Sequence, residues 1–133
     1  MRLNHVGIVV ADLAAADVFM TEVLGLERAA RRPEPSLKAA FYSCGPIDIQ
    51  LVQDEERLGS SPVGRLEHIA IDVPDLAALE ARLQEAGAEL QYEEAKEYGD
   101  PPRFKTQFTK EAAGSLGVMF QLTERYATSA PTT

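Results

Sequence analysis

The residues of this chain that are best suited to bind a metal ion occur in pairs, because the sequence contains one pattern twice. His5 lies in LNHVGIVVADLAA and His68 in LEHIAIDVPDLAA, at a constant spacing of 63 residues, and the chain has no other histidine. Later in each copy, Gln50 in IDIQLV matches Gln121 in VMFQLT at a spacing of 71 residues. Four polar residues at equivalent positions of two repeats predict a four-ligand site on a pseudo-twofold axis.

The chemistry of this set favours a divalent ion that keeps most of its charge. A free imidazole nitrogen is a common ligand of Zn, Fe, Co, Ni and Mn, whereas a glutamine carbonyl is a weaker oxygen donor. Such an ion favours an anionic substrate that chelates through two oxygens, such as an enolate or a carboxylate. Two alternatives remain open: the histidines are hydrogen-bonding residues of a polar cavity, or Gln53 and Gln107 are the relevant amides.

The composition argues against several kinds of partner and metal site. The 133 residues are 45% hydrophobic and carry a formal charge of −8, which argues against a nucleic-acid partner because phosphate binding needs clustered Lys and Arg. The single cysteine, Cys44, cannot form an internal disulfide and excludes a thiolate zinc cage. No apolar run approaches the roughly 20 residues that span a bilayer, and the first residues lack a signal-peptide core. We therefore expect a cytoplasmic protein with no membrane partner.

Hydrophobic periodicity predicts the elements that position the paired residues. Residues 2–10 alternate as a strand, with His5 on the face opposite Val6, Ile8 and Val10. Asp12 and Asp75 are expected as helix N-caps. Helices are predicted from Asp12 to about Gly25 and from Asp75 to about Ala86, the second ended by Gly87, and strands at 27–32, 37–44, 47–53, 65–73, 88–94, 103–109 and 117–124.

Each half therefore reads as β-α-β-β-β, and an α+β fold of two tandem βαβββ modules is expected. The modules are 1–54 and 66–126, joined by a linker at 55–65 and followed by a flexible tail at 127–133. In each module the helix covers one sheet face. The pleat then directs both histidines and both glutamines to the uncovered face.

The segments HVGIVVADL at 5–13, LGLE at 24–27, HIAIDVPDL at 68–76 and GVMFQL at 117–122 resemble the vicinal oxygen chelate superfamily. That superfamily includes glyoxalase I, bleomycin-resistance proteins, extradiol dioxygenases and methylmalonyl-CoA epimerase. The resemblance covers about residues 2–124. It implies a glyoxalase-like curved mixed sheet with a concave ligand cavity, and a homodimer.

The order His, Gln, His and then a carboxylate is most similar to methylmalonyl-CoA epimerase, which implies His5, Gln50 and His68 as metal ligands. At the fourth position the family has a glutamate that also moves a proton, where this chain has Gln121. No Asp or Glu lies between Pro35 and Pro46, where the family's second acid/base is expected. Proton transfer would then fall to other side chains, with Tyr42, Tyr92, Tyr98, Lys105 and Glu93 as candidates.

The resemblance implies a metal-dependent enzyme, with an epimerase or isomerase that uses a metal-stabilised enolate as the specific expectation. The ion would be Co, Zn, Mn, Ni or Fe, and the substrate a small, anionic, oxygen-chelating molecule. A metal-free binding protein of the bleomycin-resistance type is the alternative from another class. An Fe(II) dioxygenase and a glyoxalase I-like lyase are further alternatives.

Overall fold

The computed structural model of the chain describes residues 1–31, 37–111 and 117–127, and it confirms the predicted α+β class. The helices are α1 (Leu13–Val18), which continues into a π-helical turn at Phe19–Val23, α2 (Glu55–Leu58) and α3 (Leu76–Glu85). The described strands are β1 (Arg2–Val10), β2 (Glu27–Arg28), β3 (Ala39–Cys44), β4 (Ile47–Gln53), β5 (Gly64–Asp72), β6 (Lys96–Tyr98), β7 (Phe104–Phe108) and β8 (Met119–Arg125).

The chain divides into two compact units. The N-terminal unit is Asn4–His68, and the C-terminal unit is Met1–Leu3 together with Ile69–Thr133, so the division falls within β5. The predicted linker at 55–65 contains α2, which the side chain of Asp54 caps by accepting from the Arg57 amide at 3.0 Å. The predicted flexible tail lies outside the described residues from residue 128 onward.

In the N-terminal unit, β1 pairs with β4 in parallel, and β4, β3 and β2 continue as antiparallel neighbours. The helix-side core is formed where alternate strand residues meet α1. Its buried members are Val10, Met20, Tyr42 and Leu51, with Ile8, Leu13, Ala16 and Ile49 packed against them. The predicted inward face of β1 and β4 is confirmed.

In the C-terminal unit, β7 lies between β6 and β8, and all three are antiparallel. Its core is Val73, Leu76 and Leu122, packed against Ile71, Leu79, Leu83, Ala95 and Phe120. The strand predicted at 88–94 is wrong. Leu90 forms only an isolated bridge to Thr109, and the strand lies instead at Lys96–Tyr98.

The side chain of Gln107 accounts for the misplaced strand. Its Oε1 accepts from the Tyr92 amide at 3.0 Å, and its Nε2 donates to the Tyr92 carbonyl at 2.9 Å and to Glu80 Oε2 at 3.0 Å. A side-chain amide thus satisfies the backbone groups that a ladder would otherwise pair. Gln107 is fully buried in these contacts, which gives it a structural role rather than that of a ligand.

Both helix starts carry the same two hydrogen bonds. Asp12 and Asp75 cap their helices through Oδ1, at 3.2 and 3.1 Å, as predicted. A side chain from the last strand of each repeat adds a second: Gln53 Oε1 accepts from the Leu13 amide and Glu124 Oε1 from the Leu76 amide, both at 2.8 Å. Gln53 therefore stabilises the start of α1.

The predicted glycine stops are confirmed, because Gly25 and Gly87 have φ angles of 75° and 86° at the ends of the two longer helical segments. Within the described ranges, no helix has the length and apolar character that a membrane crossing requires.

Candidate metal centre

The two histidines predicted as ligands meet inside the N-terminal unit. His5 Nε2 lies 3.2 Å from His68 Nε2, with the rings nearly perpendicular and their centroids 5.2 Å apart. Both side chains are buried, at 6% and 4% exposure. The predicted convergence of the two imidazoles is therefore present in the structure.

The separation of the two Nε2 atoms suits one shared ion. Two metal–nitrogen bonds of about 2.1 Å that end on atoms 3.2 Å apart enclose an angle of about 100° at the metal. This angle lies between the tetrahedral and octahedral values. The pair can therefore act as two neighbouring ligands of one ion without moving.

The partners of the two Nδ1 atoms indicate which nitrogen of each ring carries the proton and which one can bind a metal. Glu67 Oε1 lies 3.0 Å from His68 Nδ1, and Asn4 Oδ1 lies 2.8 Å from His5 Nδ1. Because a carboxylate oxygen only accepts, we assign the ring proton of His68 to Nδ1. His5 Nδ1 also lies 3.3 Å from Arg31, which is a donor, but its contact with Asn4 Oδ1 is shorter, and that oxygen accepts from Arg31 at 2.9 Å. We therefore assign the proton of His5 to Nδ1 as well. Each Nε2 then presents a lone pair to the other, an arrangement that a cation between them stabilises.

Glu67 is a buried anion beside this pair. It is 2% exposed, and Arg57 donates to it twice, from Nε to Oε2 at 2.7 Å and from a terminal nitrogen to Oε1. Burial by itself raises the pKa of Glu67, but the hydrogen bonds from Arg57 and His68 outweigh it and lower the pKa from 4.5 to about 2. The carboxylate is therefore ionised at neutral pH.

The low pKa of Glu67 predicts acid sensitivity. A carboxyl with a lowered folded pKa contributes stability above its unfolded pKa of 4.5 and loses that contribution as the pH falls toward 2. The contribution is roughly 3 kcal/mol in the free energy of unfolding, following from the linkage relation. Urea unfolding between about pH 6 and about pH 2 covers this range. As the pH falls, the free energy of unfolding is expected to decrease less steeply in Glu67→Gln than in the wild type. Glu56→Gln, an exposed carboxylate of α2, is the control and should keep the wild-type decrease.

Gly7 makes room for His68. A Cβ at Gly7 would fall within the imidazole ring of His68, so only a residue without a side chain fits there. Gln50 is the strand partner of Gly7 and is 9% exposed, and Phe41 is the next partner across, with its ring edge-on to His5 at 5.7 Å. His5, Gln50 and Phe41 therefore share the face of the sheet opposite the α1 core, as predicted for the first two.

Gln121 belongs to the C-terminal unit. It is half-buried on β8, pairs with Phe108, and its Nε2 donates to Thr106 Oγ1 at 3.4 Å. Its role as a fourth ligand stays a prediction. Among residues 1–31, 37–111 and 117–127, no group of three or more His, Cys, Asp or Glu side chains could hold a metal.

Tyr42 lies on the helix side of β3, not beside the histidines. Its hydroxyl donates to Asp17 Oδ1 at 2.6 Å, and Arg28 binds the same carboxylate. Burial, with the adjacent Asp17, raises the pKa of Tyr42 to about 12. As a candidate for proton transfer it is therefore separated from the imidazoles by the sheet.

The remaining candidates for proton transfer lie in the C-terminal unit. The Tyr92 ring contacts Phe108 edge-on at 5.7 Å, which places it next to the strand partner of Gln121, and Lys96 Nζ lies 4.2 Å from its centroid. Tyr98 stacks on Phe104 at 5.2 Å.

Lys105 and Glu93 are placed less favourably for proton transfer. Lys105 is the strand partner of Glu97 and of the helix-capping Glu124, and Glu93 is exposed. Tyr92 is thus the candidate that the C-terminal unit places beside a predicted ligand.

Sequence reasoning missed the residues that hold the two outer nitrogens. Asn4 and Glu67 each precede a histidine and occupy equivalent positions of the repeat, 63 residues apart. Each binds the Nδ1 atom of the histidine that follows it. A polar residue before each repeated histidine was the signal that could have identified them.

Comparison with known proteins defines the family. Residues 2–113 match the Glyoxalase/Bleomycin resistance protein/Dioxygenase superfamily, so the chain belongs to it. The chain is similar to the ethylmalonyl-CoA/methylmalonyl-CoA epimerase of Cereibacter sphaeroides, with 35% identity over 67% of this chain and 73% of that protein. It is also similar to the mitochondrial methylmalonyl-CoA epimerase of Bos taurus, with 32% identity over 71% of this chain and 59% of the bovine protein.

Solved structures agree with the family. The structure of methylmalonyl-CoA epimerase from Mycobacterium tuberculosis superposes with a TM-score of 0.73 at 26% identity, covering 95% of this chain and 89% of that one. A hypothetical protein from Bacillus halodurans gives a TM-score of 0.77 at 21% identity, covering 98% of both chains. The fold predicted from the repeated segments is therefore confirmed.

Proposed function

We propose that this chain is a metal-dependent epimerase that acts on CoA thioesters of 2-alkylmalonic acids. The observation that carries the proposal is the 3.2 Å approach of two buried Nε2 atoms whose Nδ1 atoms are both held by acceptors. The names of the relatives supply the substrate class. His5 and His68 would hold the ion, with Gln50 and Gln121 as further ligands.

The proposed ion, when bound, supplies positive charge to a thioester carbonyl oxygen, which acidifies the neighbouring C–H bond. The side chains of the site exclude water and set its charge. Phe41 is buried against His5 and keeps water from one side of the imidazole. Gln50 has a neutral amide, so the site keeps the positive charge that a carboxylate ligand would cancel.

Epimerisation also needs groups that take the α-proton and return one to the opposite face. Asp48 is the strand partner of His5, but its Oδ2 lies 3.4 Å from Arg31 Nε, and Arg31 also lies 3.3 Å from His5 Nδ1. This ion pair places Asp48 on the Nδ1 side of His5. Tyr92 is the proton carrier in our proposal, because its ring contacts Phe108, the strand partner of the predicted ligand Gln121.

Solvent exchange of the α-proton tests this function. The purified chain, loaded with Co²⁺ in D₂O, is expected to incorporate one deuterium at the α-carbon of methylmalonyl-CoA and ethylmalonyl-CoA, as measured by mass spectrometry. Tyr92→Phe is expected to slow exchange at least 100-fold, the lower range for loss of an acid/base group. Exchange no faster than in a metal-free control would overturn the proposal.

A non-catalytic binding protein is the second candidate, because Gln121 donates its amide to Thr106 and cannot accept a proton. In that case the same CoA esters would bind, as measured by calorimetry, without any deuterium uptake. A cytoplasmic homodimer completes our proposal, and sedimentation equilibrium tests the dimer directly.

A further inference from the structure

The two histidines differ in what holds their outer nitrogens. His68 Nδ1 faces a carboxylate, Glu67, which Arg57 binds through two hydrogen bonds. His5 Nδ1 faces a neutral amide oxygen, that of Asn4, and the cationic Arg31 lies 3.3 Å from the same ring nitrogen. The repeat therefore places unlike partners at equivalent positions.

We propose that Glu67 is a positioning residue that fixes the tautomer and the ring orientation of His68 and makes it the stronger of the two donors. The metal part of this inference rests on the proposed function. A carboxylate that accepts from Nδ1–H keeps the lone pair on Nε2 and increases the electron density of the ring. A neutral amide next to a guanidinium does this less, so His5 is the weaker donor.

Arg57 is what makes Glu67 a rigid partner. Its planar guanidinium binds both carboxylate oxygens, a geometry that fixes the rotation of the carboxyl group. Arg57 is itself held, because its amide donates to Asp54 at 3.0 Å and its carbonyl accepts from Arg65 Nε at 2.8 Å. The carboxylate is therefore presented to His68 Nδ1 in one orientation.

Gly7 completes the arrangement from the other side of the ring. The backbone of β1 at Gly7 lies where a Cβ would collide with His68, so the ring is confined between the strand and the carboxylate. With both constraints present, the His68 ring keeps one orientation, in which its Nε2 atom points toward His5 Nε2.

The experiment measures the tautomer without metal and the affinity with it. In the ¹⁵N NMR spectrum of the metal-free chain, His68 is expected to be the Nδ1–H tautomer, and Glu67→Gln is expected to give a mixture. The dissociation constant for Co²⁺, from visible absorption titration, should rise 10- to 100-fold in the same variant, the range for an outer-shell partner. Glu56→Gln, which removes an exposed carboxylate next to Arg57, should change neither quantity.

A merely structural ion pair would lower the melting temperature of Glu67→Gln and leave the His68 tautomer and the Co²⁺ affinity at wild-type values, and that result would overturn the proposal. If the wild-type chain binds no Co²⁺ but the tautomer shifts as expected, the proposed metal function fails while the positioning role stands. Asn4→Asp leaves Glu67 intact and tests whether a carboxylate next to Nδ1 also makes His5 a stronger donor. It is expected to tighten Co²⁺ binding about 10-fold, and unchanged or weaker binding counts against the inference.

Discussion

Replacing His68 by alanine is expected to weaken Co²⁺ binding at least 100-fold, beyond the range for loss of an outer-shell partner. The variant removes one of two imidazole nitrogens that lie 3.2 Å apart and leaves His5 with amides, which are weaker donors, as the remaining proposed ligands. It also removes the contact between His68 and Glu67, whose carboxylate keeps its two hydrogen bonds from Arg57. Titration followed by visible absorption of Co²⁺ measures the effect.

The matched control for His68→Ala is His68→Gln, which restores an oxygen donor of similar reach. It should recover part of the lost affinity, because a side-chain carbonyl can still bind a divalent ion. Equal Co²⁺ affinity in wild type and His68→Ala would show that the ion binds elsewhere and that the histidine pair is only a hydrogen-bonded contact.

Replacing Gly7 by alanine is expected to weaken Co²⁺ binding and to lower stability together, although Gly7 has no side chain that could bind the ion. The added methyl group would occupy the place of the His68 ring, so the ring has to move from its position opposite His5 Nε2. We expect at least a 10-fold loss of Co²⁺ affinity, comparable with loss of an outer-shell partner. The overpacking should also cost about 1–3 kcal/mol in the free energy of unfolding.

Val6→Ala is the control for this variant, because Val6 is the neighbouring residue on the same strand and points to the other face. It should reduce stability while leaving Co²⁺ binding at the wild-type level. If Gly7→Ala bound Co²⁺ as tightly as wild type, the ring of His68 would not need its present position, and the geometric basis of the site would be wrong.

The parts of the fold that the sequence predicted are those set by local periodicity. The alternation in residues 2–10 identified the face of His5, and Asp12 and Asp75 marked the two helix starts, because each of these signals depends on near neighbours. The strand predicted at 88–94 failed for a non-local reason. Gln107, 15 residues away from Tyr92, binds the backbone that a ladder would have used.

The sequence likewise predicted only part of the candidate site. The repeat was sufficient to pair His5 with His68, and their convergence is present in the structure. It could not show that Gly7 is the space that His68 fills, because that depends on the packing of one strand over another. Gln53 and Gln107 were reasonable alternative ligands by residue type, and only their partners reveal the structural roles.

Glu67 illustrates what remained outside sequence reasoning. An acidic residue in a strand usually faces solvent, yet this one is 2% exposed because Arg57 and His68 together satisfy its charge. The arginine that makes this possible lies on α2, within a segment whose composition indicates a linker. The interaction therefore could not be inferred from either residue alone.

A crystal structure of the chain soaked with Co²⁺, with anomalous diffraction recorded at the cobalt edge, tests the central claim most directly. We predict one anomalous peak within about 2.1 Å of both His5 Nε2 and His68 Nε2, with their Nδ1 atoms still on Asn4 and Glu67. A peak bound by only one of the two imidazoles, or located away from both, would contradict the account.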